Sequence, residues 1–342
     1  MKFLSLFSLT VGCALLGLTA CSDKKDSSTA SQPTITVYSE RVEHLIKPLF
    51  DQYTAETGVP IRFITDGAGP LIARLENEDQ ATPADLLITV DAGNLWQAAD
   101  KGLLRAIDSP VLEANVPEHL QASGNEWFGL SVRARTIVYS TERVKPEELS
   151  TYEALGDPKW KGRICLRTAK KVYNQSLVAT MINTLGAEQT EEVVKSWVAN
   201  LATDPYSNDT VALEAVIAGQ CDLAIVNTYY FGRMQKQKPE IPLAVFWPNQ
   251  DGRGVHVNIS GAGITKHAKH PEAAQQLLEW LSGEEAQYKF AEANEEYPVN
   301  PRVQPSPLVQ AWGEFKADLV NVEAAGHLQA EAVKLMDRAG YR

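Results

Sequence analysis

The stretch "WFGLSVRARTIVYS", Trp127–Ser140, decides the fold. It is a longer extended run than the short apolar strands around it. Before it, such strands alternate with amphipathic helices. "TITVYS" reads as a strand. "EHLIKPLFDQYTAETG" then sets Leu45, Leu49 and Tyr53 four apart, with Ile46 and Phe50 beside them, and stops at Gly58. "PIRFIT" and "DLLITV" are strands, and "PLIARLENE" and "AGNLWQAADKG" helices. This is the rhythm of a largely parallel sheet covered by helices. After Ser140 it restarts. "RICLRT", "CDLAIVN", "PLAVFWP" and "GVHVNISGAGITK" read as strands. "NQSLVATMINTLG", "EEVVKSWVANL", "TVALEAVIAG", "PEAAQQLLEWLS", "EEAQYKFAEAN" and a last segment near "EAAGHLQAEAVKLM" read as helices. A restart across one extended segment predicts two α/β lobes joined by strand hinges. Residues 34–132 with about 257–300 form the first, and 133–256 with about 301–342 the second.

A chain of 342 residues accommodates two such lobes, each with its own core. Hydrophobic content of 44% and charged content of 22% place it among soluble globular proteins. The net charge of -11 argues against nucleic acid as a partner, which rewards a basic face. The opening "MKFLSLFSLTVGCALLGLTAC" has one lysine, an apolar run from Phe3 to Leu18, then small residues. It reads as a signal peptide over residues 1–20, too short and wrongly flanked to span a membrane. "LTAC" resembles a bacterial lipobox, which makes Cys21 the lipidated first residue and a membrane anchor. The alternative is a plain signal peptide with an incidental cysteine. Residues 21–33 continue as a polar tether without periodicity. Cys13 falls in the signal, which leaves Cys165 and Cys221 in an oxidising compartment, where an even pair reads as a disulfide. Two isolated cysteines so far apart lack zinc spacing.

Catalytic signatures are missing. The sequence has no G-x-S-x-G elbow, no H-E-x-x-H helix and no phosphate-binding loop. "DGAGPLIARL" places Gly67 and Gly69 before a helix without the third glycine of a dinucleotide fingerprint, and reads as a tight strand-to-helix turn. No set of histidines and carboxylates has strong metal spacing.

"IVNTYYFGRM", Ile225–Met234, is the remaining unusual feature. If "CDLAIVN" is a strand, a helix begins at about Thr228, and Tyr229 and Tyr230 share its first turn. There the positive helix end favours an anionic side chain by about 0.3–1 kcal/mol. On a strand the two side chains would point to opposite faces; from a first turn they can converge. Phenolates suit a hard trivalent cation, whose charge deprotonates its ligands. Taken alone, the doublet reads more simply as packing.

The wider sequence resembles the periplasmic ferric-ion-binding proteins of bacterial iron uptake, the Fbp and Fut type. The likeness spans nearly the whole chain after the signal. It rests on "VYSER", "TPADLLITVDAGNLW", "EWFGLSVRARTIVYS", "ELSTYEALGDPKWKGRICLRT", "YNQSLVA", "NDTVALEAVIAGQCDLAIVNTYYFGRM", "PNQDGRGVHVNISGAG" and "NEEYPV". "YNQSL" together with "NTYYFGR" is the specific part. The resemblance implies a type II two-lobed periplasmic binding protein. It would be a monomer that closes on Fe3+ and delivers it to an ABC permease and its ATPase. It implies iron ligands at Tyr229 and Tyr230, with a third at Tyr173 in "VYNQS". Some relatives place histidine and tyrosine directly after the arginine of the first loop. This chain has "SERVEHL", in which Val42 cannot ligate. Another branch completes the site with carbonate or a similar anion held by arginine, a role that falls here to Arg41, with Arg133 as a second anchor. Glu43 and His44 are ligands by type, or simply the exposed start of the next helix.

Cysteines at the positions of Cys165 and Cys221 also occur in the family. Asn174 and Gln175 could support the ligands, although Asn174 could equally cap a helix. His256 reads as a hydrogen-bonded strand histidine, and the seven tryptophans as core. The alternative function is binding of another small solute: an anion, a polyamine or an iron chelate. An exported enzyme lacks a motif here, and a purely structural surface lipoprotein would bind nothing.

Overall fold

The computed structural model describes residues 33–342. The signal peptide, Cys21 and nearly all of the tether lie outside the described residues. Nine strands join in one connected sheet: β1 (Ile35–Ser39), β2 (Ile61–Thr65), β3 (Leu86–Thr89), β4 (Phe128–Ser140), β5 (Ile164–Cys165), β6 (Leu223–Asn227), β7 (Leu243–Phe246), β8 (Val257–Ile264) and β9 (Tyr297–Pro298). The order is β2-β1-β3-β8-β4-β6-β5, with β7 and β9 also paired to β4.

The stretch Trp127–Ser140 is the spine, as its length predicts. Every residue of β4 is buried. Its first half, through Ala134, pairs antiparallel with β8 and β9; its second half, from Arg135, pairs antiparallel with β6 and β7. The outer strands on both sides run parallel, β1 with β2 and β3, and β5 with β6. Two parallel α/β halves therefore share one long strand. The hydrophobic core runs through both, with a smaller cluster around Cys165 and Cys221. Those cysteines form the predicted disulfide, with Cα atoms 5.9 Å apart.

Local rules hold where one element decides its own ends. The helix Glu43–Thr57 stops at Gly58, whose φ of 74° is left-handed and whose N–H donates to the Thr54 carbonyl. The helix Pro110–Asn115, capped by Ser109, was not expected. Two expectations are corrected. The helix Val172–Leu185 begins two residues before Asn174, so Asn174 is not its cap. Instead its side-chain amide donates to the carbonyls of Arg167 and Thr168, both at 2.9 Å. Of the tryptophans, only Trp127, Trp160 and Trp197 are fully buried. Trp96, Trp247, Trp280 and Trp312 are half-buried, because their helices and loops lie at the rim of the core.

Candidate metal centre

Two helix starts bring the phenols together. β6 ends at Asn227, and the helix Thr228–Gln237 follows without a loop. Tyr229 and Tyr230 are its second and third residues, and Tyr173 is the second residue of the helix Val172–Leu185. The Tyr229 and Tyr230 rings lie 4.5 Å apart. All three tyrosines line one pocket of about 240 Å³, together with Arg41, Arg133, Glu40, Lys171 and Arg233. Gly232 lets this helix sit close to its neighbours: a Cβ there would fall 2.8 Å from Glu295 and 2.9 Å from Trp312. Lys236, one turn on, reaches Glu295 at 2.6 Å.

Behind the phenols lies a buried polar network. Arg133 and Arg135 stand two apart on β4, so they share a face. Arg135 donates to Asp209 and Asn227, both at 3.0 Å, and to Asn174 at 2.8 Å. Asn227 in turn donates to the Tyr229 hydroxyl at 3.3 Å. Arg167, which lies 3.8 Å from Asp209, donates to the Tyr230 hydroxyl at 3.1 Å. One buried carboxylate, Asp209, thus orients groups that touch the tyrosine pair. Arg135 and Asp209 do not stand out in the sequence. The period of two in "SVRAR" was the signal that could have found the first.

The opposite wall is the loop after β1. Arg41 is buried there with Nη1 2.8 Å from Glu296 and 3.3 Å from Ser260, and Nη2 3.1 Å from the Phe290 carbonyl. Its guanidinium stacks on the Phe290 ring at 4.1 Å. Arg133 bonds the Val90 carbonyl and lies 3.3 Å from Asp91. Among the described residues, three buried polar atoms on the pocket residues have no partner: Arg41 Nε, Arg133 Nη1 and Asn294 Oδ1. Buried polar groups are normally paired, so the pocket is suited to a polar occupant. The structure does not bring Glu43 or His44 to this wall; both are exposed on the first turn of the helix Glu43–Thr57, beside Val42 and Leu45, which do line it. Gln175 donates to the Ala169 carbonyl and stays outside the pocket. The turn at Gly67 and Gly69 does not line it.

Burial holds Tyr173 and Tyr229 in the protonated form. It pushes the Tyr173 hydroxyl well above the ordinary tyrosine range, and the neighbouring Tyr230 adds to the shift. Burial does the same to Tyr229, with Tyr173 adding. Burial also raises the Glu40 carboxyl. His256 is driven down to about 3 by burial and then by the charge of Arg133, so it is neutral, as a buried strand-edge histidine should be. Among the described residues no group of three His, Cys, Asp or Glu side chains could hold a metal ion.

A two-halved α/β body sharing long central strands, with a small polar pocket walled by both halves, defines a solute-binding protein with the periplasmic-binding-protein fold. The chain belongs to the bacterial extracellular solute-binding protein family, whose model matches residues 48–317. It is 42% identical to Iron uptake protein A1 of Synechocystis, over 98% of this chain and 96% of the relative. Among solved structures it resembles the Trichodesmium protein IdiA (FutA) in complex with iron and citrate ligands, with a TM-score of 0.88 and 42% identity over 91% of this chain and all of that one. It also resembles apo FutA2 of Synechocystis, with a TM-score of 0.86 and 39% identity over 91% of this chain and all of that one.

Proposed function

We propose that this protein is the Fe3+-binding component of an iron ABC transporter. It captures ferric iron through Tyr173, Tyr229 and Tyr230 and passes it to a membrane permease driven by its ATPase. The observation that carries this reading is the convergence of three phenols, buried Tyr173 and Tyr229 and half-buried Tyr230, from two helix N-termini in one pocket of about 240 Å³. Three phenolates neutralise a trivalent ion, and oxygen donors suit a hard cation. The lobes proposed from the sequence, 34–132 with about 257–300 and 133–256 with about 301–342, would hinge where β4 passes from β8 to β6 and close over the ion. The protein would work as a monomer in the periplasm, tethered through a lipid on Cys21, without enzymatic activity.

Charge around the pocket favours an anion as co-ligand. Arg41 is offset by Glu296, Arg133 by Asp91, and one of Arg135 and Arg167 by Asp209. Lys171, Arg233 and Arg167, whose guanidinium lies over the Tyr173 and Tyr230 rings, then have Glu40 as the one further carboxylate lining the pocket among the described residues. Two positive charges are left, which matches a dianion such as carbonate, bound by the unpartnered nitrogens of Arg41 and Arg133. The citrate in the Trichodesmium complex supports a second reading, in which iron arrives as a carboxylate chelate.

The test is a ferric titration of metal-free protein with carbonate, with citrate and with neither. A visible phenolate-to-iron band at one iron per chain is expected, with tighter binding when an anion is present. A colourless protein that binds a polyamine or an anion alone would sink the reading. Binding must also expel the protons of Tyr173 and Tyr229, which burial keeps in place at neutral pH. Proton release of about two or more per iron is expected, and affinity falls as pH falls.

A further inference from the structure

On the ferric reading, the loop wall has a gap in its ligand set. Val42 is apolar, Glu43 and His44 are exposed off the pocket, and Glu296 is engaged by Arg41 and Ser131. One carboxylate remains on that wall. Glu40 follows β1 directly, and its N–H donates to the Ile88 carbonyl of β3 at 2.8 Å, which fixes its backbone at the sheet end. Its Oε2 accepts from the Val90 N–H at 2.9 Å and from Asn94 at 3.2 Å. Its Oε1 accepts no hydrogen bond among the described residues, although Glu40 lines the pocket. Across the pocket, the carboxylate lies within electrostatic reach of Lys171 and Tyr173.

We infer that Glu40 is an iron ligand, with Oε1 completing from the loop wall the site that the three tyrosines build from the other. The inference rests on the ferric reading and deepens it. A carboxylate oxygen is a hard donor of the kind Fe3+ prefers. Two donors on Oε2 hold the group in one orientation, so little is lost in ordering it when the ion arrives. Lys171 lines the same pocket and offsets the added negative charge. The identity of residue 40, rather than of residues 42 to 44, then sets how tightly the loop wall grips the metal.

Glu40→Gln tests this, because the amide keeps the size and an acceptor for Val90 and Asn94 but loses the charge. Ferric affinity is expected to fall by about 100-fold. The phenolate-to-iron band is expected to move to lower energy, since a poorer donor leaves the iron more electron-deficient, and the ferric electron-spin-resonance signal is expected to change shape. Unchanged affinity overturns the inference. So does a loss of affinity with an unchanged band and resonance signal, which puts Glu40 outside the coordination shell as a partner of Lys171. If the wild-type protein shows no band, the ferric reading fails and this inference with it; a wild-type band with an unaltered variant removes the inference alone. A crystal structure of the iron-loaded wild type decides the matter without a variant: iron bound by the tyrosines and by no Glu40 oxygen overturns it.

Discussion

On one wall of the pocket, Tyr173, Tyr229 and Tyr230 stand in helix first turns over Arg135 and Asp209. On the other, Glu40, Arg41 and Val42 belong to a loop between β1 and the helix Glu43–Thr57. The phenols are set by two regular elements, a buried ion network and a nearby disulfide. Each of those supports can be lost only at a cost to the fold. The loop wall is tied by Arg41 to Glu296 and by Glu40 to Val90 and Asn94, while Val42, Glu43 and His44 are exposed and can change without disturbing a core. On the proposed ferric reading, the metal chemistry is built on the rigid wall and the choice of remaining ligands on the other.

The largest expected effect attacks the rigid wall directly. Tyr229→Phe removes the proposed charge-bearing ligand while leaving the ring. By analogy with breaking a buried charge pair, iron affinity should drop by about 3–5 kcal/mol, roughly 100- to 5,000-fold, with loss or strong weakening of the visible band. Retained affinity would end the distinction between the walls. Next comes the support behind the phenols. Asp209→Asn leaves Arg135 and Arg167 without their shared carboxylate. Denaturant unfolding of the metal-free protein should register a loss of about 3 kcal/mol or more. Iron affinity should fall too, since Arg135 and Arg167 orient Asn227 and Tyr230.

A smaller effect is expected from the disulfide. Replacing Cys165 and Cys221 by serine opens a loop of sequence separation 56 and should cost about 2–4 kcal/mol, seen as a lower melting temperature. Iron should largely offset this loss, because a tight ligand stabilises the folded state by mass action. The smallest effect belongs to the exposed part of the loop wall. Glu43→Ala and His44→Ala should each change iron affinity and stability by under about 0.5 kcal/mol, measured by competition with a chelator and by melting. A large loss in either would move the metal toward the helix start and sharpen the loop wall into a second rigid one.

Much of the rigid wall was legible in the sequence. The βαβ rhythm, the long strand at Trp127–Ser140 and the helix start at Thr228 follow from local periodicity, and the strand end placed both tyrosines in one first turn. Tyr173 was reached through resemblance, since nothing in "VYNQS" taken alone points at a pocket. The loop wall was less legible. Arg41 reads as an anion anchor, but its two terminal nitrogens are taken by Glu296, 255 residues away, by Ser260 and by the Phe290 carbonyl. Arg133 attracted notice while Arg135, two residues on, carries the network under the tyrosines. Glu40 was only part of a quoted motif.

By itself, then, the sequence determined the element types, the disulfide partners and the chemistry available: phenols, guanidinium groups and carboxylates in the right number for a hard cation. These depend on neighbours a few residues apart, which hydrophobic period and turn residues encode. Tertiary structure decided which of those groups face the pocket and which are spent on one another. Sheet register sets that choice by placing Arg135 opposite Asn227 and Arg133 opposite Asn258, pairings that no local pattern specifies. A buried guanidinium must take whatever carboxylate the register brings to it. Free and committed charges therefore look alike until the strands are paired.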